Sequence, residues 1–259
     1  MVLWPRKRKD KEQTGGCNPD ITPYARLEKA GLTLGTRKVL SGLSLDLEEP
    51  RIGVIGLNGS GKSSFARLLN GLHLADEGCV TLFGADAASV RSELPRHVGF
   101  VFQNPDHQAI FPTVEEEIAF GLTQLGASKD ESRTKALEFL DLHGCGDLAA
   151  KPFAELSGGQ KQLVCILAVL VMRPAVLVLD EPMTSLDALA SRLIFNKLMS
   201  LPQRIVMVSH DLSLLTGFDR VLWLEEGQLR MDGPAAKVIA AYRDDIERRS
   251  GTVMEAAAI

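Results

Sequence analysis

The eight residues GLNGSGKS, at 56–63, constrain this chain more than any other stretch. They fit the spacing Gly-x-x-x-x-Gly-Lys-Ser. Glycines at these places let the backbone curl with its N–H groups turned inward onto anionic oxygens. The loop is entered from a short apolar run, RIGVI, and left through KSSFARLLNGL, where Phe65, Leu68, Leu69 and Leu72 recur at helical spacing. Strand, glycine turn and helix thus form a phosphate cradle, with the positive end of the helix added to it. Lys62 is expected to reach the β- and γ-phosphates of a nucleotide and Ser63 to ligate Mg²⁺. Asn58, Gly59, Ser60, Gly61 and Ser64 complete the expected ATP-holding loop.

Around this loop, short β-rich runs alternate with helical patterns. YARLEKAGLTL and LSGLSLDL alternate with period two and predict half-exposed strands. CVTLFG and HVGFVFQ predict further strands. VLVL and IVMV are apolar at every position, as parallel strands covered on both faces are. RVLWLEEGQLR predicts a hairpin turning at Glu226-Gly227. Between Thr113 and Leu142 the pattern is helical and more charged, which predicts a small helical lobe. A helix is expected over 158–172 and another over 234–249, the second with Pro234 in its first turn.

Two carboxylates end the strand VLVLDE. Asp180 is expected to hold Mg²⁺, through a water or through Ser63. Glu181 is placed to polarise an attacking water as general base. By themselves they are only the acidic end of a strand; the phosphate loop gives them a role. His210 ends the next apolar strand, where it is in reach of a γ-phosphate and of Glu181. Gln103, after HVGFVF, is in reach of Mg²⁺ or of the lytic water.

LSGGQ, at 156–160, raises a different problem. Ser157, Gly158, Gly159 and Gln160 put a hydroxyl and free N–H groups at the start of a long helix, which suits either a capping turn or an anion. A second cradle is redundant within one chain but not between two. Head-to-tail packing places this turn over the nucleotide of a second copy.

Composition bounds the rest. Hydrophobic residues are 45% and charged residues 24%, as in ordinary globular proteins, and a net charge of −4 argues against general nucleic-acid affinity. Cys17, Cys79, Cys145 and Cys165 include no Cys-x-x-Cys pair, so neither a zinc site nor a disulfide framework is indicated. The longest apolar run, Leu163–Met172, is about half of the roughly 20 residues a membrane span needs. The basic cluster from Arg6 to Lys11 is followed by no apolar segment, so a secretory signal is not expected and a solvated, disordered tail over 1–23 is.

The order GLNGSGKS, FQNP, LSGGQ, LVLDE, SLD and SH, across about residues 26–233, resembles the ATPase subunits of ABC transporters. FQNPDHQAIFPTVEEEIAFG and KPFAELSGGQKQ are similar to the energy-coupling-factor group, and IGLNGSGKSSFARLLNGL to the ATPases of biotin uptake systems within it. The resemblance implies an α/β fold: a RecA-like P-loop NTPase core with an antiparallel β subdomain and a small helical lobe at about 104–172, within a domain at 24–233. It implies ATP hydrolysis with Mg²⁺, a second ATPase subunit as in a homodimer, an integral membrane coupling subunit, a membrane substrate-binding subunit, and a peripheral place at the cytoplasmic face of a prokaryotic membrane. It makes Ser185-Leu186-Asp187 a loop linking two active sites and sets the residues around Gln103 against a membrane subunit. Many relatives have an aromatic residue stacked on adenine where alignment puts Leu34, which offers apolar contact without a ring. Relatives with longer tails carry extra C-terminal helices that join subunits, a contact expected to be reduced here. An importer for cobalt or nickel is a near alternative. A soluble ATPase of iron–sulfur cluster assembly is a rival of another class, separated by whether a membrane protein is needed.

Overall fold

The computed structural model describes residues 16–184 and 186–257, with side chains as far as residue 250. From the N-terminus, β1 (Ala25–Leu34) and β2 (Arg37–Leu47) make an antiparallel hairpin. β3 (Arg51–Ile55) leads into α1 (Lys62–Leu68), after which β4 (Glu77–Leu82) and β5 (Ala85–Asp86) join the hairpin in a sheet of order β2-β1-β4-β5. β6 (Val98–Val101) is followed by α2 (Val114–Gln124), α3 (Lys129–Leu142) and α4 (Gly158–Leu170). The chain continues through β7 (Val176–Asp180), α5 (Ala188–Met199), β8 (Arg204–Val208), β9 (Arg220–Glu225), β10 (Gln228–Pro234) and α6 (Ala235–Ala257).

The second sheet has the order β10-β9-β3-β8-β7-β6. Its five strands from β9 to β6 run parallel, and β10 turns back antiparallel on β9. Alternation along these strands feeds two cores. Ile55, Val101, Leu177, Leu179, Ile205 and Met207 face a core shared with α4, α5, α6 and the helical lobe. Ile52, Val54, Phe100, Val178, Val206 and Val208 face the other, shared with α1 and the antiparallel sheet. Burial on both faces is why these strands are apolar without alternation. Each fully buried Leu, Ile or Val contributes roughly 1.5–3 kcal/mol. The parallel strands all end on one edge, where open α/β sheets hold their ligands.

Three expectations change, and the expected helical lobe gains detail. α1 stops at Leu68, because Gly71 turns left-handed at φ 73° and a Cβ there would lie 2.7 Å from Leu94 Cδ1. Leu72 is therefore 45% exposed and not core. The helical run over 113–142 is two helices, each with its own cap: Thr113 with Glu116, and Ser128. α6 runs beyond residue 249 to Ala257. Finally, residues 16–23 do not form a tail. Cys17 and Ile21 pack on the core, Asn18 donates its N–H to the Phe83 carbonyl at 2.9 Å, and Arg204 donates to the Pro19 carbonyl at 3.2 Å. Residues 1–15, with the basic cluster, lie outside the described residues.

Candidate active site

The loop after β3 is shaped by glycine. Gly61 caps α1 at φ 99°, and a Cβ there would stand 2.8 Å from the Val39 carbonyl oxygen and 2.7 Å from Leu40 Cδ2. Lys62 curls into the loop, its Nζ donating to the carbonyls of Gly56 at 2.9 Å and Leu57 at 3.0 Å. Burial pushes its pKa down, and the nearby carboxylates of Glu181 and Asp180 oppose that. Ser60 is buried, and its Oγ has no partner among the described residues.

The ends of β6, β7 and β8 bring four side chains to this loop. Ser63 Oγ donates to Asp180 Oδ1 at 3.0 Å. Asp180 is 3% exposed, and burial raises its pKa, with the Ser63 hydrogen bond pulling the other way. Glu181 follows in left-handed backbone, φ 48°, while its N–H still donates to the Val208 carbonyl at 3.0 Å. Such backbone on a non-glycine residue costs on the order of 1–3 kcal/mol and is held by its surroundings.

Those surroundings converge on one oxygen. Glu181 Oε2 receives Gln103 Nε2 at 3.1 Å and Thr184 Oγ1 at 3.2 Å. His210 Nδ1 lies 3.3 Å from the same oxygen and donates to it in the tautomer protonated at Nδ1. Among the described residues, Oε1 accepts no hydrogen bond. Thr184 escaped the sequence reading; a threonine three residues beyond a carboxylate carries no signal until the turn is seen.

A cleft of about 700 Å³ gathers Asn58, Gly59, Gly61, Lys62, Ser63, Ser64, Gln103, Glu181 and His210, joined by Arg37, Val39 and Thr184. Ser60 lies on the other side of the loop. A second cleft joins Ser63, Gln103 and Asp180 to Leu156, Gly158 and Lys161 at the head of α4. The segment after Gln103 is clamped between sheet and lobe. Glu117, 6% exposed, accepts the N–H groups of Ile110 and Phe111 at 2.8 and 2.9 Å. Lys161 pairs with Asp106 at 2.7 Å, and Gln108 donates to the Cys165 carbonyl at 2.9 Å.

The other expected residues lie elsewhere. Leu34, 40% exposed, lines none of these clefts; Arg37 and Val39 stand there instead. Leu34 instead pairs with Arg37 at the turn of the β1–β2 hairpin. Ser157 and Gln160 form a reciprocal capping box at the head of α4, with Ser157 and Gly158 exposed. Asp187 caps α5 through the Ala190 N–H at 2.8 Å, and a Cβ at Gly159 would lie 2.9 Å from the Ala190 Cβ. The two turns are therefore packed together on the surface, outside the cleft of Lys62. Ser185 lies outside the described residues.

The site suits a nucleotide-bound Mg²⁺. Ser63 and Asp180 supply hard oxygen donors, and Gln103 shares their cleft. No cluster of three His, Cys, Asp or Glu exists among the described residues, but Mg²⁺ bound with phosphates needs only one or two carboxylates.

A family model described as ABC transporter matches residues 40–184. A provisionally named ABC transporter ATP-binding protein of Deinococcus radiodurans is 49% identical over 208 residues, 80% of this chain and 92% of that one. The biotin transport ATP-binding protein BioM of Rhodobacter capsulatus is 45% identical over 79% of this chain and 87% of its own length. The nickel import ATP-binding protein NikO of the same organism is 38% identical, over 85% and 92%. Among solved structures, cbiO1 from Clostridium perfringens, part of the ABC transporter complex cbiONQ, superposes with a TM-score of 0.74 at 28% identity, covering 90% of this chain and 98% of that one.

Proposed function

This chain belongs to the ABC transporter family as an ATP-binding, ATP-hydrolysing subunit, and from that premise we propose that it powers an energy-coupling-factor importer, with biotin as the favoured cargo. The similarity to BioM supports that cargo. The observation that carries the catalytic part is Glu181, whose Oε2 is held by Gln103, Thr184 and His210 while Oε1 stays open.

Two copies sandwich two ATP molecules, each between the Lys62 loop of one chain and the Ser157–Gln160 turn of the other. Within one chain Ser157 and Gly158 are exposed, which supports a partner's nucleotide as the ligand of this turn. Ser63 and Asp180, with Gln103, would hold Mg²⁺, which supplies charge neutralisation on the phosphate oxygens. Glu181 takes a proton from the attacking water at Oε1, and His210 orients the carboxylate from its other oxygen. Asp187, at the head of α5 beside Gly159, links the two sites. ATP binding drives closure, and loss of the γ-phosphate releases it.

The 103–111 segment transmits closure to a membrane coupling subunit. Its clamping by Glu117, Lys161 and the Cys165 carbonyl supports this, as does Ile110, 71% exposed upon it. A separate membrane subunit binds the cargo, and this chain sits peripherally at the cytoplasmic face. Among the described residues no helix is long and apolar enough to cross a membrane. The likeness to NikO favours a metal ion as second reading of the cargo.

The test is capture of the tagged chain from detergent-solubilised native membranes, with mass spectrometry of what accompanies it. Two small multi-span proteins, one carrying biotin, are the expected result. Bound nickel or cobalt moves the cargo to the second reading. Soluble partners alone would sink the transport proposal in favour of iron–sulfur assembly.

A further inference from the structure

The geometry points to Arg37 as a second phosphate clamp, which closes from the antiparallel sheet onto the nucleotide held by the Lys62 loop. Arg37 opens β2 and lines the cleft on each side of the loop, about 700 Å³ toward Lys62 and about 450 Å³ toward Leu57 and Ser60. A Cβ added to Gly59 would stand 3.6 Å from Arg37 Nη2, so only the bare glycine backbone lies beneath the guanidinium.

Neighbouring cations are already engaged. Lys38 pairs with Glu77 at 2.6 Å, and Arg249 pairs with Asp245 at 2.6 Å and with Glu225. Lys62 is held by two loop carbonyls. Arg37 makes no hydrogen bond or ion pair among the described residues. The cleft meanwhile sets one carboxylate, Glu181, against its one lysine, Lys62. A triphosphate entering there meets Lys62 on the loop side and Arg37 on the side of the antiparallel sheet. The planar guanidinium fork matches phosphate oxygens in pairs.

The clamp would also join two layers. Lys62 reaches the phosphates from the parallel sheet and Arg37 from the antiparallel one, so the bound nucleotide ties one to the other. Its place over the phosphate loop distinguishes this role from stacking on the base.

This inference rests on ATP binding at the Lys62 loop, and the experiment separates the two. Binding of ATP, AMP and inorganic tripolyphosphate is measured calorimetrically on the full chain, with Arg37→Ala, Arg37→Lys and Lys62→Ala. The expected result for Arg37→Ala is about tenfold weaker binding of ATP and of tripolyphosphate, about 1.4 kcal/mol. AMP binding stays unchanged, Arg37→Lys restores only the part of the loss that a point charge supplies, and the loss shrinks at high salt. Unchanged ATP binding in Arg37→Ala, beside a loss in Lys62→Ala, overturns the clamp alone. Equal weakening of AMP and ATP with tripolyphosphate untouched also overturns it, in favour of base stacking. Full ATP binding by Lys62→Ala overturns the underlying site. Melting temperatures of the variants check that each is folded.

Discussion

Ser63 and Asp180 meet at 3.0 Å, hydroxyl to carboxylate, although 117 residues separate them in the chain. The fold spends stability to make that contact. Asp180 is nearly inaccessible, and its pKa is raised above the ordinary carboxylate value because burial disfavours the charge.

The sign of that shift gives the first prediction. A carboxyl whose folded pKa is raised favours folding most below its unfolded pKa, and that contribution is lost as pH rises through the folded value. At pH 7, above the unfolded value, the raised pKa is therefore a cost. Asp180→Asn should raise the melting temperature of the nucleotide-free protein by about 2–4 °C, as roughly 1 kcal/mol does in a domain of this size. The gain should shrink as pH is lowered, and Mg²⁺-dependent hydrolysis should be lost. Calorimetry across pH reads it; a lower melting temperature at pH 7 would refute it.

Glu181→Gln should lower kcat by about 10²–10⁴-fold, the scale of a lost general base, and leave ATP affinity unchanged. Thr184→Val removes one of the donors to Oε2. It should lower kcat by about 10–10²-fold with KM unchanged, since one hydrogen bond to a charged group is worth about 1.5–3 kcal/mol. Steady-state kinetics tests both. A change confined to KM in Thr184→Val would show that the threonine serves binding and not the base.

Much of this site was legible in the sequence because its parts are local. The phosphate loop, the two carboxylates ending β7 and the histidine ending β8 each occupy a few consecutive residues whose backbone dictates their direction. What escaped depends on distant contacts. Arg37 and Val39, on β2, line the cleft for which alignment with relatives puts forward Leu34. The end of α1 is set by Leu94 beneath Gly71. Residues 16–23 carry polar and turn-forming side chains that suit a tail, yet Cys17 and Ile21 find apolar partners that no local pattern announces.

Those contacts make truncation informative. A chain beginning at Tyr24 loses the packing of Ile21 and the hydrogen bonds of Asn18 and Pro19. It should melt several degrees lower than a chain beginning at Gly16, in keeping with the roughly 1–3 kcal/mol such losses bring. Equal melting temperatures would show that the segment contributes nothing.

Gly159 is the close approach between the head of α4 and Ala190. Gly159→Val should push α5 and the Asp187 turn aside, at a cost of about 1–3 kcal/mol. Hydrolysis should fall far more than ATP binding, because Lys62 lies in a different cleft. Parallel titration and turnover assays decide; equal loss of both would place the turn within its own chain's nucleotide site.

The central claim is that each ATP site is built from two copies of this chain. The most direct measurement mixes two inactive variants, Lys62→Ala and Ser157→Arg, and follows ATP turnover. A mixed dimer holds one intact site, Lys62 from one copy and Ser157 from the other. With free exchange and independent sites, an equal mixture should recover about a quarter of the wild-type rate. A mixture as inactive as either variant alone would contradict the shared site.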